Sequence, residues 1–123
     1  MKSGDLKERT FDFGVRCVKL AEALPKGRAG DALGSQLLRC GTSVGSNYRA
    51  ACRGRTRAEF IAKLGIVEEE CDECLFWLDL IARLGLIKPA SLSPLRQEAD
   101  EILCIIISSI KTARANAKAN KQP

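Results

Sequence analysis

The chain has no histidine among its 123 residues. Histidine titrates closest to neutrality and is the commonest general acid or base. Its absence excludes Ser-His-Asp and Cys-His nucleophilic arrangements, HExxH zinc sites and Glu-x-x-His di-iron sites. The expectation is a protein that is not an enzyme. Aromatics are also scarce, at 5% of residues, with one Trp and one Tyr. That composition suits an aliphatic helical core better than a sandwich or barrel, whose strands favour aromatic side chains. No stretch reaches transmembrane length, and the opening MKSGDLKERTFDF has no apolar run of the signal-peptide kind. The expected compartment is therefore cytoplasmic, with no membrane partner. In that compartment the six cysteines (Cys17, Cys40, Cys52, Cys71, Cys74 and Cys104) are expected as reduced thiols.

The length predicts a single domain over residues 1–123, with a moderate core and no enclosed substrate cleft. Charge is plentiful and uneven. The net charge is +5, divided as +1 over residues 1–24, +6 over 25–57, −4 over 58–90 and +2 over 91–123. The second quarter thus carries more than the whole excess, and the third opposes it.

Apolar spacing predicts four helices, at about 6–24, 30–53, 56–85 and 92–114, with a frayed polar tail over 115–123. The first stops at Pro25-Lys26-Gly27. The second carries the seam Leu33, Leu37, Cys40, Val44, Asn47 and Ala51, and Gly54 is expected to end it as a left-handed residue. Asn47, a polar seam residue, is expected to fix helix register through a buried hydrogen bond. Thr56 and Glu59 have capping-box spacing for the third helix, with Glu59 reaching back to Thr56. Its seam is Phe60, Leu64, Val67, Cys71, Cys74, Leu78, Ile81 and Gly85. The fourth is expected to begin near Ser91 or Ser93, with Pro94 in its first turn. Four seams with short connections point to an all-α, up-down-up-down antiparallel four-helix bundle. A helical hairpin that dimerises is the alternative.

The third helix has a second apolar stripe, formed by Ile66, Trp77, Leu80 and Leu84 with Phe76 nearby. It either touches both neighbouring helices or forms an oligomer interface, because a patch of that size is a liability on a monomer.

The stretch NYRAACRGRTRAEF, residues 47–60, crowds Arg49, Arg53, Arg55 and Arg57 at a bend between two helices. Arg53 suits the negative end of a helix, but Arg57 lies at a positive end and Arg55 has no helical role. Arg39, Arg49 and Arg53 share a helix face opposite the seam, together with Thr42 and Ser46. Arginine's planar fork binds two phosphate oxygens, and hydroxyls add neutral contacts. The strip reads as a nucleic-acid-binding surface, as salt bridges within or between subunits, or as a solvated face. Tyr48 beside it either stacks on a base or packs at the core edge. Cys71-x-x-Cys74 lies mid-helix on a seam and reads as buried thiols, not a redox pair or metal site. The acidic run EEECDE, residues 68–73, reads as a solvated or ion-paired face. No cofactor and no metal are expected.

The block SVGSNYRAACRGRTRAEFIAKLGIVEEECDECLFWLDLI, residues 43–81, resembles the four-helix-bundle family of ribosomal-RNA intervening-sequence proteins. The matching features are Ser43-Val44, Asn47, the arginine-rich turn, Arg57-x-Glu59-Phe60 and the acidic stretch before Trp77. FDFGVRCVKLAEALP is similar to the family's first helix, and the resemblance covers most of residues 10 to 114. It implies a bundle commonly assembled as a ring-like homopentamer, without established enzymatic activity. A fold relative is the accessory protein of diversity-generating retroelements, a basic pentamer that binds nucleic acid and a reverse transcriptase. By that resemblance the chain is expected to bind structured RNA or an RNA–DNA hybrid, with Arg49, Arg53, Arg55 and Arg57 as the residues carried over. A reverse transcriptase is a possible partner. The competing expectation is a protein–protein adaptor whose arginines form inter-subunit salt bridges. The six cysteines exceed what the resemblance leads one to expect.

Overall fold

The computed structural model describes the backbone of residues 3–121 and the side chains of residues 5–119. Four α-helices account for nearly all of it: α1 (Ser3–Ala23), α2 (Arg28–Cys52), α3 (Arg57–Arg83) and α4 (Pro89–Lys121). No strand occurs among the described residues. The β-prone run ILCIII lies inside α4, where the spacing of four between Ile102, Ile106 and Ile110 buries all three. Packing against the other helices thus outweighs the run's local preference.

The four seams meet in one core. Leu6, Phe13 and Cys17 come from α1, and Leu37, Cys40 and Val44 from α2. Leu64, Val67, Leu78 and Ile81 come from α3, and Ile102 and Ile106 from α4. Each fully buried aliphatic side chain contributes about 1.5–3 kcal/mol relative to exposure, which makes the core the main source of cohesion in this four-helix bundle. Between α1 and α2 the backbones come close. A Cβ on Gly41 would lie 2.5 Å from Cβ of Cys17, so only glycine fits there without a shift. Thr10 lies beside Gly45, Cys17 beside Gly41, and Ala21 and Leu24 beside Gly34.

Helix ends follow local chemistry. The Thr56 hydroxyl accepts the Glu59 N–H at 3.0 Å, the first half of the expected capping box. The second half differs: Glu59 Oε2 accepts the N–H of Arg55, at 2.6 Å, not that of Thr56. α3 ends in a Schellman motif. Leu86 N–H reaches Ile81 O at 3.2 Å and Gly85 N–H reaches Ala82 O at 3.1 Å, with Gly85 left-handed at φ 69°. Gly54 is not left-handed, contrary to expectation. α2 ends instead through Arg53, with φ −98° and ψ 4°. Gly54 serves close approach, since a Cβ there would sit 3.1 Å from Ala51 O.

Three further readings are corrected. α4 begins at Pro89, which occupies the favourable first helical position and leaves Pro94 inside the helix. α4 also continues to Lys121, so the expected fraying after residue 114 does not occur; residues 122–123 lie outside the described residues. Alanines at 113, 115, 117 and 119 have the highest helix propensity and sustain those last turns. Finally, Tyr48 and not Asn47 occupies the buried position on α2. Asn47 donates to Ser43 O in its own helix, at 2.9 Å, so it sets no register between helices.

Candidate nucleic-acid interface

Five arginines were expected to form one basic strip, and the structure divides them. Arg39 faces α3. Its guanidinium donates to Glu73 Oε1, and to Glu70 Oε2 at 3.4 Å. The hydrogen bond to Arg39 holds the Glu73 carboxyl below the usual carboxylate range, and Trp77 Nε1–H adds a bond to Glu73 at 3.4 Å. Arg39 is therefore engaged by two acids of its own chain.

Arg49, Arg53, Arg55 and Arg57 are placed differently. All four are exposed, and none forms an ion pair among the described residues. Arg49 is in the last turn of α2, Arg53 caps that helix, Arg55 lies in the turn, and Arg57 opens α3. Glu59, the one acid of this stretch, is taken up by the Arg55 backbone N–H. These four arginines therefore gather unpaired charge at the α2–α3 turn and its flanks, although Arg16, Arg28 and Arg83 elsewhere are also exposed without an ion pair among the described residues. Tyr48 is 5% exposed and its hydroxyl is pushed up, chiefly by burial, so it offers no face for stacking.

Cations missed by sequence reasoning join this end. Arg57 and Phe60 share a cleft of about 840 Å³ with Ser108, Thr112 and Asn116 of α4. The same turns of α4 carry Lys111, Arg114 and Lys118, all exposed. No acid follows Glu101 in the sequence. That acid-free run was the available signal; of these cations, assigning residues 115–123 to frayed chain concealed only Lys118.

Two other arginines hold the bundle together. Arg9 of α1 grips Glu98 of α4 with a two-pronged contact, at 2.8 and 2.7 Å, and reaches Glu101 at 2.9 Å. Arg96 of α4 holds Asp79 of α3 in the same forked way, at 2.6 and 3.2 Å. Glu98 and Asp79 are both held below the carboxylate range by these hydrogen bonds.

The expected interface residues on α3 also divide. Ile66, Phe76 and Leu84 are exposed, Phe76 at 59%. Trp77 and Leu80 are half-buried against the core, and the Phe76 and Trp77 rings pack edge to face at 4.9 Å. A second apolar surface was not foreseen. Phe11, 67% exposed, and Val15 border a groove of about 550 Å³ between α1 and α2 that ends at Arg49. Their spacing of four, followed by a step of three to Val18, was its sequence signal.

Cys17, Cys40, Cys71 and Cys74 are fully buried. Cys74 Sγ lies 3.2 Å from Cys40 Sγ. The Cys74 thiol is pushed up by hydrogen bonding to Cys17 and Cys40 and by burial, and burial pushes Cys71 up to about 12. Both shifts favour the neutral thiol over the thiolate that metal binding or nucleophilic attack requires. Among the described residues, no group of three or more His, Cys, Asp or Glu side chains is placed to hold a metal ion. No described helix is long and apolar enough to cross a membrane.

No curated protein matches the chain. Among solved structures, the chain is similar to a protein of unknown function of the S23 ribosomal protein family from Bacteroides thetaiotaomicron. The two share 35% identity, with 90% of this chain and 99% of the other covered, and a TM-score of 0.84. The family model for the 23S rRNA-intervening sequence protein matches residues 3–108, from the start of α1 into the second half of α4. The four-helix bundle, the arginine-rich turn and these two matches agree: the chain belongs to the 23S rRNA-intervening sequence protein family.

Proposed function

We propose that this protein is a non-enzymatic, cytoplasmic accessory protein that binds nucleic acid, structured RNA or an RNA–DNA hybrid, through the arginines of the α2–α3 turn. The observation that carries this reading is the contrast in pairing. Arg9, Arg39 and Arg96 each hold a carboxylate, whereas Arg49, Arg53, Arg55 and Arg57 are exposed without one among the described residues. Arginine left unpaired at one end of a bundle suits phosphate, and its contacts there are independent of base sequence.

The assembly in this reading is a ring of up-down-up-down antiparallel bundles, with five copies favoured. The contacts of α1 with α2 support the antiparallel part, since residues 10, 17 and 21 meet 45, 41 and 34 in reverse order. Two separate apolar surfaces support the ring: Phe76 with Leu84 on α3, and the groove bordered by Phe11 and Val15. A head-to-tail contact that closes needs two different patches on each copy. A ring would present several arginine turns at once, and multivalency then offsets weak single sites. A reverse transcriptase is the protein partner this reading allows.

An adaptor reading has one observation of its own. Glu69 and Asp72 are exposed on α3 with no ion pair among the described residues, so a neighbour's arginines could meet them. Light scattering combined with anisotropy of a labelled structured RNA separates the readings. Submicromolar binding that weakens steeply between low and physiological salt supports the nucleic-acid role. No binding at low salt refutes it and leaves the adaptor. A monomeric mass refutes the ring.

A further inference from the structure

We infer that the cleft between the start of α3 and the C-terminal half of α4 receives one unpaired nucleotide of the bound nucleic acid. This rests on the nucleic-acid reading above and adds a specific site to it.

The cleft is built from two helices with different chemistry. α3 contributes Arg57, exposed, and Phe60, half-buried. α4 contributes Ser108, Thr112 and Asn116, one above the other at intervals of four residues on a single helix face. Beside them Ile105 and Ala113 add apolar surface. No acidic residue lines the cleft. The last acid on α4, Glu101, is held by Arg9 and lies seven residues before Ser108, about 10 Å along the helix.

Those groups match the parts of a nucleotide. A phosphate needs a cation with a planar fork, which Arg57 supplies. A base needs an aromatic or apolar face, which Phe60 and its neighbours supply. Ribose hydroxyls and base edges need donors and acceptors together; Ser108, Thr112 and Asn116 offer both. At about 840 Å³ the cleft is within the range of about 300–1,000 Å³ common for small-ligand sites. A duplex is too wide to enter and keeps its base faces stacked, whereas an unpaired nucleotide exposes its own. Lys111, Arg114 and Lys118 lie on the same turns but outside the cleft's lining, and add long-range attraction for the nucleic acid without reading sequence.

The test compares two labelled RNA hairpins, one blunt-ended and one with three unpaired 3′ uridines, by anisotropy at fixed salt. The overhang should tighten binding about tenfold. Phe60→Leu should abolish that gain while leaving the blunt hairpin's affinity unchanged. Thr112→Val with Asn116→Ala, both exposed positions, gives the same readout without touching the core. Loss of the gain in these variants, with blunt-hairpin binding intact, supports the site. Equal affinity for the two hairpins overturns it while the nucleic-acid reading stands, as does a gain that survives both variants. If neither hairpin binds, the nucleic-acid reading fails and takes the site with it.

Discussion

Arginine has opposite roles at two places in this molecule. Along the bundle, Arg9, Arg39 and Arg96 are tied to carboxylates on a neighbouring helix. At the α2–α3 turn, Arg49, Arg53, Arg55 and Arg57 are exposed and tied to none among the described residues. The residue type is the same, so the difference lies in what the fold brings opposite. A helix flank faces another helix, and an acid placed there can meet the cation. A turn faces solvent, and the one acid within reach, Glu59, is already bonded to backbone. In the proposed function, the charge without an internal partner is the charge that meets phosphate.

The comparison is broken most directly by neutralising the turn. Arg49→Gln, Arg53→Gln and Arg55→Gln together should lower affinity for structured RNA about a hundredfold at low salt, and should reduce the salt dependence by about one counterion per arginine. The melting temperature should barely move, because exposed substitutions away from packing and pairing stay within about 0.5 kcal/mol. If the oligomer dissociates instead, the arginines bind neighbouring acids and the adaptor reading is the better one. Arg9→Ala should do the reverse. Arg9 and Glu98 are only 24% and 18% exposed, and the change leaves Glu98 without its forked partner. A loss of about 2 kcal/mol in urea unfolding is expected, with RNA affinity unchanged.

Much of this architecture was legible in the apolar spacing. α3 was the most readable element, because an uninterrupted four-three seam from Leu64 to Ile81 is incompatible with a strand. α2 was misread at its sixth turn, where an aromatic ring outcompetes an amide for a buried position and Tyr48 displaces Asn47, and at its end, where Gly54 is not left-handed. The end of α4 was misread because ANAKANK has no apolar seam; alanine propensity sustains the helix there without one. The site was legible in part. The arginine turn is contiguous in sequence and was visible as such. The cleft was not, since Arg57 and Asn116 are 59 positions apart and meet only through packing. Nor could spacing tell Arg39 from Arg49, because what separates them is Glu70 and Glu73 on another helix.

The smallest effect expected sharpens the comparison through acid titration. Hydrogen bonds from arginine hold Glu98, Glu73 and Asp79 below the ordinary carboxylate range. The unfolded chain, with ordinary values, therefore takes up protons at higher pH than the folded one does. The stability these pairs contribute is complete above the ordinary carboxylate range and is lost as pH falls through the lowered folded values. Melting temperature should thus be nearly flat from pH 7 to about 5 and decline below about pH 4. Arg9→Ala should make that decline shallower, because Glu98 returns toward its ordinary range. Arg39→Gln should do so less, since Arg39 is half exposed and solvent already screens its pair. The triple turn variant should titrate like the parent protein. A shallower acid limb in that variant would mean the turn arginines have carboxylate partners after all, and the contrast between flank and turn would fail.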